Sequence, residues 1–123
     1  MTLKECYEAM GADYDEVMGR LKTEERVQKF LIKVLSDSSY NLLCDSLAAK
    51  NIEDAFRGAH TLKGVGQNLA LTKLYESAAV LADVLRDRHD YGEDIEPAFE
   101  QVKIDYEMTT GAIRKLAEET GAL

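Results

Sequence analysis

The sequence predicts an all-α protein, built as an up-down antiparallel four-helix bundle with short additional N-terminal helices. Ala, Leu, Glu, Lys and Arg are abundant, whereas the alternation of apolar and polar residues that marks strands is scarce. Three long segments repeat apolar residues at alternating steps of three and four, which is typical of helices packed in a bundle. Because the chain has 123 residues, we expect one domain over residues 1–123.

The first part of the chain contains four shorter helical segments. The first ends at Gly11, Asp13 starts the second and Thr23 starts the third. The Ser-Asp-Ser-Ser run at residues 36–39 provides a turn or a new cap before the fourth. Their predicted apolar faces consist of Leu3, Cys6, Tyr7 and Met10; Tyr14, Val17, Met18 and Leu21; Val27, Phe30, Leu31 and Val34; and Tyr40, Leu43, Cys44 and Leu47.

The remaining part contains three longer segments whose apolar seams define the bundle. Asn51 caps the fifth helix, Thr72 precedes the sixth, and Pro97 lies near the start of the seventh, where its missing N–H does no harm. The connections around residues 70–72 and 90–94 are short, so consecutive helices should be neighbours. The predicted seams consist of Ala55, Ala59, Leu62, Gly66 and Leu69; Leu74, Ala78, Leu81 and Leu85; and Ile95, Phe99, Val102, Tyr106, Thr109, Ile113 and Leu116.

Composition argues against several classes of function. With 23 acidic and 15 basic residues the formal net charge is −8, so phosphate backbones and anionic membrane surfaces repel the chain. We therefore expect neither a nucleic-acid partner nor a membrane partner. No apolar stretch is long enough to span a bilayer, and the N-terminus does not resemble a signal peptide. Cys6 and Cys44 show no paired spacing, which favours reduced thiols and a cytoplasmic location.

Residues 51–70 depart from an ordinary bundle helix. Gly58, Gly64 and Gly66 lie inside the helical pattern, and each costs about 1 kcal/mol relative to Ala, which something must offset. At about 100° per residue, His60 lies about 200° from Leu62 and therefore on the solvent side. The residues that share its face lie three, four or seven positions away: Glu53, Phe56, Arg57, Lys63, Gly64 and Gln67.

This face is suited to carrying a phosphoryl group. A neutral imidazole nitrogen is a competent nucleophile near pH 7. A phosphoryl group on it brings two negative charges, which Lys63 and Arg57 would stabilise. Gly64 leaves room for the group and for a partner, and Gln67 is placed to hydrogen-bond to the ring or the phosphate. Gly66, on the buried seam, should instead let two helices approach closely.

The segment His60-Thr61-Leu62-Lys63-Gly64, with Ala59 before it and Asn68-Leu69 after it, resembles the signature of the histidine-containing phosphotransfer (HPt) domain family. The resemblance extends over roughly the whole chain. One position departs, because the family commonly has glycine where this chain has Ala70, so the helix end there should be less tight. Other positions that fall where the family places apolar or basic residues are Phe30-Leu31, Phe56-Arg57, Leu74 and Leu81.

The resemblance implies a four-helix bundle with one exposed phosphoacceptor, His60, supported by Lys63, Gly64 and Gln67. Such a protein is a phosphoryl carrier without autonomous ATP-dependent kinase activity. It accepts the group from an aspartyl phosphate on a response-regulator receiver domain and passes it to another receiver, in a relay with a hybrid sensor histidine kinase. Phe56 and Arg57 would contact the receiver. We expect no cofactor and a monomer; Mg²⁺ would come from the partner.

Two other functions stay open. The chain could be a non-catalytic HPt-like adaptor that binds receivers without phosphate, or a chemotaxis-kinase-type phosphoacceptor domain loaded in trans by an ATP-dependent kinase. Taken singly, His60 could be an ordinary surface histidine, and His89 fits a cation near a helix C-terminus. Neither histidine has an acid three residues before it, so we expect no metal site.

Overall fold

The computed structural model describes residues 1–122, and that part of the chain contains α-helices and no strand. The predicted all-α fold is therefore confirmed. The seven helices within this range are α1 (Leu3–Ala9), α2 (Tyr14–Leu21), α3 (Glu24–Val34), α4 (Ser39–Ala48), α5 (Ile52–Asn68), α6 (Thr72–Leu85) and α7 (Ile95–Glu119).

Helices α4 to α7 form the bundle, each packing along the next in chain order. Two contacts show that α5 and α6 run antiparallel. Phe56, near the start of α5, lies against Arg86 just after α6, whereas Gly66, near the end of α5, lies against Tyr75 near the start of α6. The up-down arrangement follows from the short connection between the two helices, which lets α6 return directly along α5.

The helices α1 and α2 pack over the end of the bundle at which α5 stops. The hydroxyl of Tyr7 donates a hydrogen bond to the carbonyl of Leu69 at 2.8 Å. The backbone N–H of Asp13 donates to the carbonyl of Ala70 at 2.9 Å. Helix α3 packs against α7 and leads through residues 35–38 into α4. The additional helices thus hold the C-terminal end of α5, which fixes that helix relative to the core.

The predicted helix caps are present at three helix starts. The side chains of Asp13, Thr23 and Asn51 each accept a hydrogen bond from the backbone N–H three residues later. Each cap satisfies an N–H that has no partner inside the helix and contributes about 1 kcal/mol. The fourth helix begins differently, since Ser38 makes no side-chain cap and Asp37 accepts from the N–H of Ser39 at 2.8 Å.

The core is one cluster of buried residues drawn from all seven helices described above. Every predicted seam residue of α5 and α6 is buried, but Phe99 and Tyr106 of α7 are half-buried. Phe30, predicted on the apolar face of α3, is 42% exposed. It lies about 100° around the helix from the fully buried Leu31, at the edge of the apolar stripe, so it is not a core residue.

The end of α5 is closed although this chain lacks glycine there. Ala70 adopts a φ of +56°, and the N–H of Leu71 donates to the carbonyl of Gly66 at 2.8 Å. This is the bond pattern that commonly ends helices, with Ala in a conformation that costs a non-glycine residue about 1 kcal/mol or more. Within residues 1–122, no helix has both the length and the hydropathy needed to cross a membrane.

Candidate functional site

His60 lies midway along α5 with its side chain on the exposed side of the helix. Its neighbours Ala59 and Leu62 are 0% and 1% exposed and belong to the core. Because the opposite face of α5 is fully packed, the backbone that carries the imidazole is held in place while the ring remains accessible. The helical spacing in the sequence predicts this orientation, and the structure agrees with it.

The imidazole of His60 has an aromatic neighbour one turn earlier on α5. The rings of Phe56 and His60 are stacked, with centroids 5.7 Å apart and planes 21° apart. The guanidinium of Arg86 lies over the Phe56 ring, 5.4 Å from its centroid. Spacing along α5 identified Phe56 from the sequence, whereas Arg86 follows α6 and nothing in the local sequence signals its contact.

One turn after His60, the surface carries a cation and an open patch. The side chain of Lys63 is half-buried and forms no ion pair or side-chain hydrogen bond within residues 1–122. A Cβ added to Gly64 would meet no heavy atom of another part of the structure within 4 Å. The arrangement therefore offers a dianion both an uncommitted positive charge and free space beside the imidazole.

Arg57 and Gln67 lie on the same exposed side of α5. The guanidinium of Arg57 is paired with Asp54 at 3.5 Å, and its side chain is 64% exposed. Such an exposed pair contributes about 0–1 kcal/mol, so Arg57 can exchange this partner for another anion. Gln67 is exposed, and its side chain forms no hydrogen bond with the rest of residues 1–122. The structure thus brings together all six predicted site residues along one face.

The C-terminal end of α5 has a partner that the sequence did not reveal. Arg20 of α2 donates hydrogen bonds to the backbone carbonyls of Gln67 and Asn68. These carbonyls belong to the last turn of the helix and carry partial negative charge, and the Gln67 carbonyl also accepts from the N–H of Ala70 at 3.3 Å. A contact across 47 residues leaves no local sequence pattern, so the sequence alone does not identify Arg20 as a partner of this helix end.

The other two glycines of α5 have a packing role. A Cβ on Gly58 would lie 2.9 Å from the backbone nitrogen of Leu43 on α4, and one on Gly66 would lie 3.0 Å from the backbone of Tyr75 on α6. Both glycines therefore let a neighbouring helix approach α5 closely. For Gly66 this confirms the prediction from the sequence; for Gly58 it is new.

Comparison with family models matches residues 31–119 to the Hpt domain. This chain belongs to the Hpt domain family. Hpt domains carry out histidine phosphotransfer in phosphorelays and interact with receiver domains and kinases. The matched range includes all of α4 to α7, and with them His60 and its neighbours on α5. Searches of curated proteins and of solved structures found no match.

The two histidines of this Hpt domain lie in different settings. His60 is inside a bundle helix, whereas His89 is exposed in the connection between α6 and α7, outside either helix. Within residues 1–122 no group of three or more His, Cys, Asp and Glu residues is arranged to hold a metal ion. Burial raises the pKa of the Cys6 thiol to about 11, which disfavours the reactive thiolate.

An apolar groove adjoins the His60 face at the C-terminal end of α5. It has a volume of about 360 Å³ and lies between α2, α3 and α5. Lys33 lies over the exposed ring of Phe30 at 5.2 Å, at one side of the groove. Val65 and Asn68 line it from α5; at about 100° per residue they lie about 140° and 80° around the helix from His60, so the groove flanks the face that carries the imidazole. The apolar part of the lining is Leu21, Phe30, Val34, Val65 and Leu69.

Proposed function

We propose that this Hpt domain is a phosphorelay intermediate in which His60 accepts a phosphoryl group from the aspartyl phosphate of a receiver domain and passes it to another receiver. The observation that carries the proposal is the exposed imidazole on a rigid helix, with the uncommitted Lys63 and the open Gly64 one turn away. We further propose that residues 1–123 act as one monomeric, cytoplasmic domain in a relay with a hybrid sensor histidine kinase.

The transfer itself needs little from this chain beyond presentation of the ring. The lone pair of one imidazole nitrogen of His60 forms the N–P bond, and the P–O bond to the aspartate breaks. The carboxylate departs with the electron pair, and the opposite ring nitrogen keeps its hydrogen during the step. The ammonium of Lys63 offsets the charge that arrives, Gln67 hydrogen-bonds to the group, and electrophilic assistance comes from the receiver.

We propose that the receiver covers His60 and extends into the adjoining groove. The groove lies on a flank of α5 next to the face that carries the imidazole, and Phe30 offers a receiver a 42% exposed aromatic ring there. The exposed guanidinium of Arg57 and the outer edge of Phe56 add contacts at the other end of the site. Large aromatic side chains contribute much of the binding energy at interfaces, so Phe30 should matter for affinity rather than for chemistry.

The experiment that tests the phosphoacceptor mixes the protein with a receiver carrying labelled phosphate. Wild type and His89→Gln should gain an acid-labile, base-stable label, and His60→Gln should gain none. The two variants are matched, because the chain has two histidines and both are exposed. Label on His60→Gln contradicts the assignment. Receiver binding without any transfer would point to an adaptor, and labelling by a kinase with ATP alone to a chemotaxis-type acceptor.

A companion experiment tests the docking surface. Phe30→Asp places a charge in the groove, so the KM for the receiver should rise at least about fivefold with the maximal transfer rate unchanged. Ile104→Asp is the control, because Ile104 is 51% exposed on α7 and does not line the groove. Equal KM values for the two variants would show that the receiver does not use the groove.

A further inference from the structure

A contact chain of three side chains stands beside the phosphoacceptor, and we name it the Arg86–Phe56–His60 column. The imidazole stacks on the Phe56 ring with centroids 5.7 Å apart, and the guanidinium of Arg86 lies 5.4 Å from the centroid of that same ring. Phe56 is half-buried and packs against the core cluster. Arg86 also pairs with Asp83 at 3.3 Å, and both side chains of this pair are exposed.

The helix geometry explains why the imidazole meets Phe56. Side chains on an α-helix lean toward its N-terminus, so the ring at position 60 leans over the residue four positions earlier. Phe56 is half-buried and packs against the core cluster, which restricts the motion of its ring. Arg86 reaches the ring from the end of α6, which ties the support to a second helix of the bundle.

Resting on the proposed function, we propose that Phe56 and Arg86 are positioning residues for phosphoryl transfer. Phe56 holds the imidazole of His60 in one orientation, and Arg86 holds Phe56. An exposed histidine otherwise samples several rotamers, and ordering it in the complex with a donor opposes the reaction. Stacked aromatic pairs and cations over aromatic faces provide an attraction of the size needed to restrict such a side chain beforehand.

A positioning role for Phe56 and a docking role predict different kinetics for variants at this residue. If Phe56 acted through the receiver interface alone, its loss would raise KM and leave the maximal rate unchanged. Loss of a positioning residue instead lowers the maximal rate, and it does so with a small donor that makes no interface. Phosphoramidate is such a small donor. Its P–N bond breaks with release of ammonia as the N–P bond to His60 forms.

The experiment compares Phe56→Leu, which keeps an apolar side chain but loses the aromatic face, with Phe56→Tyr, which keeps the ring. Phe56→Leu should lower the maximal rate by about three- to tenfold with both donors, and Phe56→Tyr should restore it. NMR shifts of the His60 ring protons should move in Phe56→Leu, because the neighbouring ring current is lost. Phe99→Leu is the control, since Phe99 is also a half-buried aromatic but lies on α7.

Arg86→Met provides a second variant that does not disturb the core, because Arg86 is exposed. It should lower the maximal rate in the same direction as Phe56→Leu, and Arg86→Lys should restore part of it. Wild-type maximal rates for Phe56→Leu with both donors overturn the positioning role, whatever the NMR shifts show. A failure of the proposed function would give another result. The wild type would take no label from a receiver, while the NMR shifts of the His60 ring protons would still change in Phe56→Leu.

Discussion

The substitution Gly64→Ala should raise the stability of the protein and lower its rate of phosphoryl transfer. A Cβ at this position has no heavy atom of another part of the structure within 4 Å, so Gly64→Ala meets no steric cost. The substitution replaces the residue with the lowest helix propensity, apart from proline, by the one with the highest. The free energy of unfolding should therefore rise by about 1 kcal/mol, and the Tm by roughly 4 °C.

The same methyl group should impair phosphoryl transfer. Gly64 lies one turn beyond His60, and side chains on a helix lean toward its N-terminus, so the added group points to the space beside the imidazole. We expect the transfer rate from a phosphorylated receiver to fall by about tenfold, because small displacements of reacting groups have large effects on rate. A more stable but slower variant is the signature of a position kept open for function.

Two further alanine variants supply the controls. Gly111→Ala on α7 also meets no atom within 4 Å, so it should gain the same stability and transfer at the wild-type rate. Gly58→Ala should instead lose about 1 kcal/mol, because its Cβ would lie 2.9 Å from the backbone of Leu43 and force α4 away. Thermal unfolding and transfer kinetics measure both effects. If Gly64→Ala transfers as fast as Gly111→Ala, the clearance role of Gly64 is refuted.

Three further predictions concern stability and reactivity. Thr109→Val should raise the free energy of unfolding by about 1 kcal/mol, because the buried Thr109 hydroxyl has no hydrogen-bond partner within residues 1–122. Thr110→Val should raise the free energy of unfolding by less, because the Thr110 hydroxyl donates to a backbone carbonyl at 2.9 Å. Urea unfolding of both variants checks this difference. Lys50→Gly should raise the free energy of unfolding by about 1 kcal/mol, because glycine relieves the strain of a φ of +56° at this exposed site. Ala70→Gly, at the same φ, should leave the free energy of unfolding nearly unchanged, because the relief of strain is offset by loss of a buried methyl group. Cys6 is fully buried, so its alkylation at pH 8 should require unfolding and speed up with denaturant, and the raised pKa of its thiol, about 11, disfavours reaction further; a rate independent of denaturant would contradict this.

Much of the fold could be predicted from the sequence because the start and the buried face of a helix depend on residues a few positions apart in the chain. Caps at Asp13, Thr23 and Asn51 involve residues three positions apart, and the seam of α5 follows from spacing along one helix. The exposure of His60 follows from the same spacing, since residues opposite a buried seam face solvent. Each of these inferences needs one helix alone, and each agrees with the structure.

The contacts between helices could not be predicted in the same way. Arg20 reaches the end of α5 across 47 residues, and Arg86 reaches Phe56 from the end of another helix. Phe30 has the spacing of a core residue, but whether an edge position is covered depends on where the neighbouring helices lie. Periodicity gives the direction of a side chain and not the presence of a partner, so these features required the packed structure.

The sequence gives only the total helix-propensity cost of the three glycines of α5, whereas the structure shows at which of them packing offsets that cost. Together they cost about 3 kcal/mol of helix propensity, and that cost alone does not say which of them serves the site. At Gly58 and Gly66 the cost is offset by packing, since a Cβ would meet the backbone of α4 or α6 at 2.9–3.0 Å. At Gly64 no contact in the structure offsets it. The unexplained cost is thus confined to one residue, and that residue lies one turn from the imidazole of His60, which is where the proposed transfer would need room for a phosphoryl group and its donor.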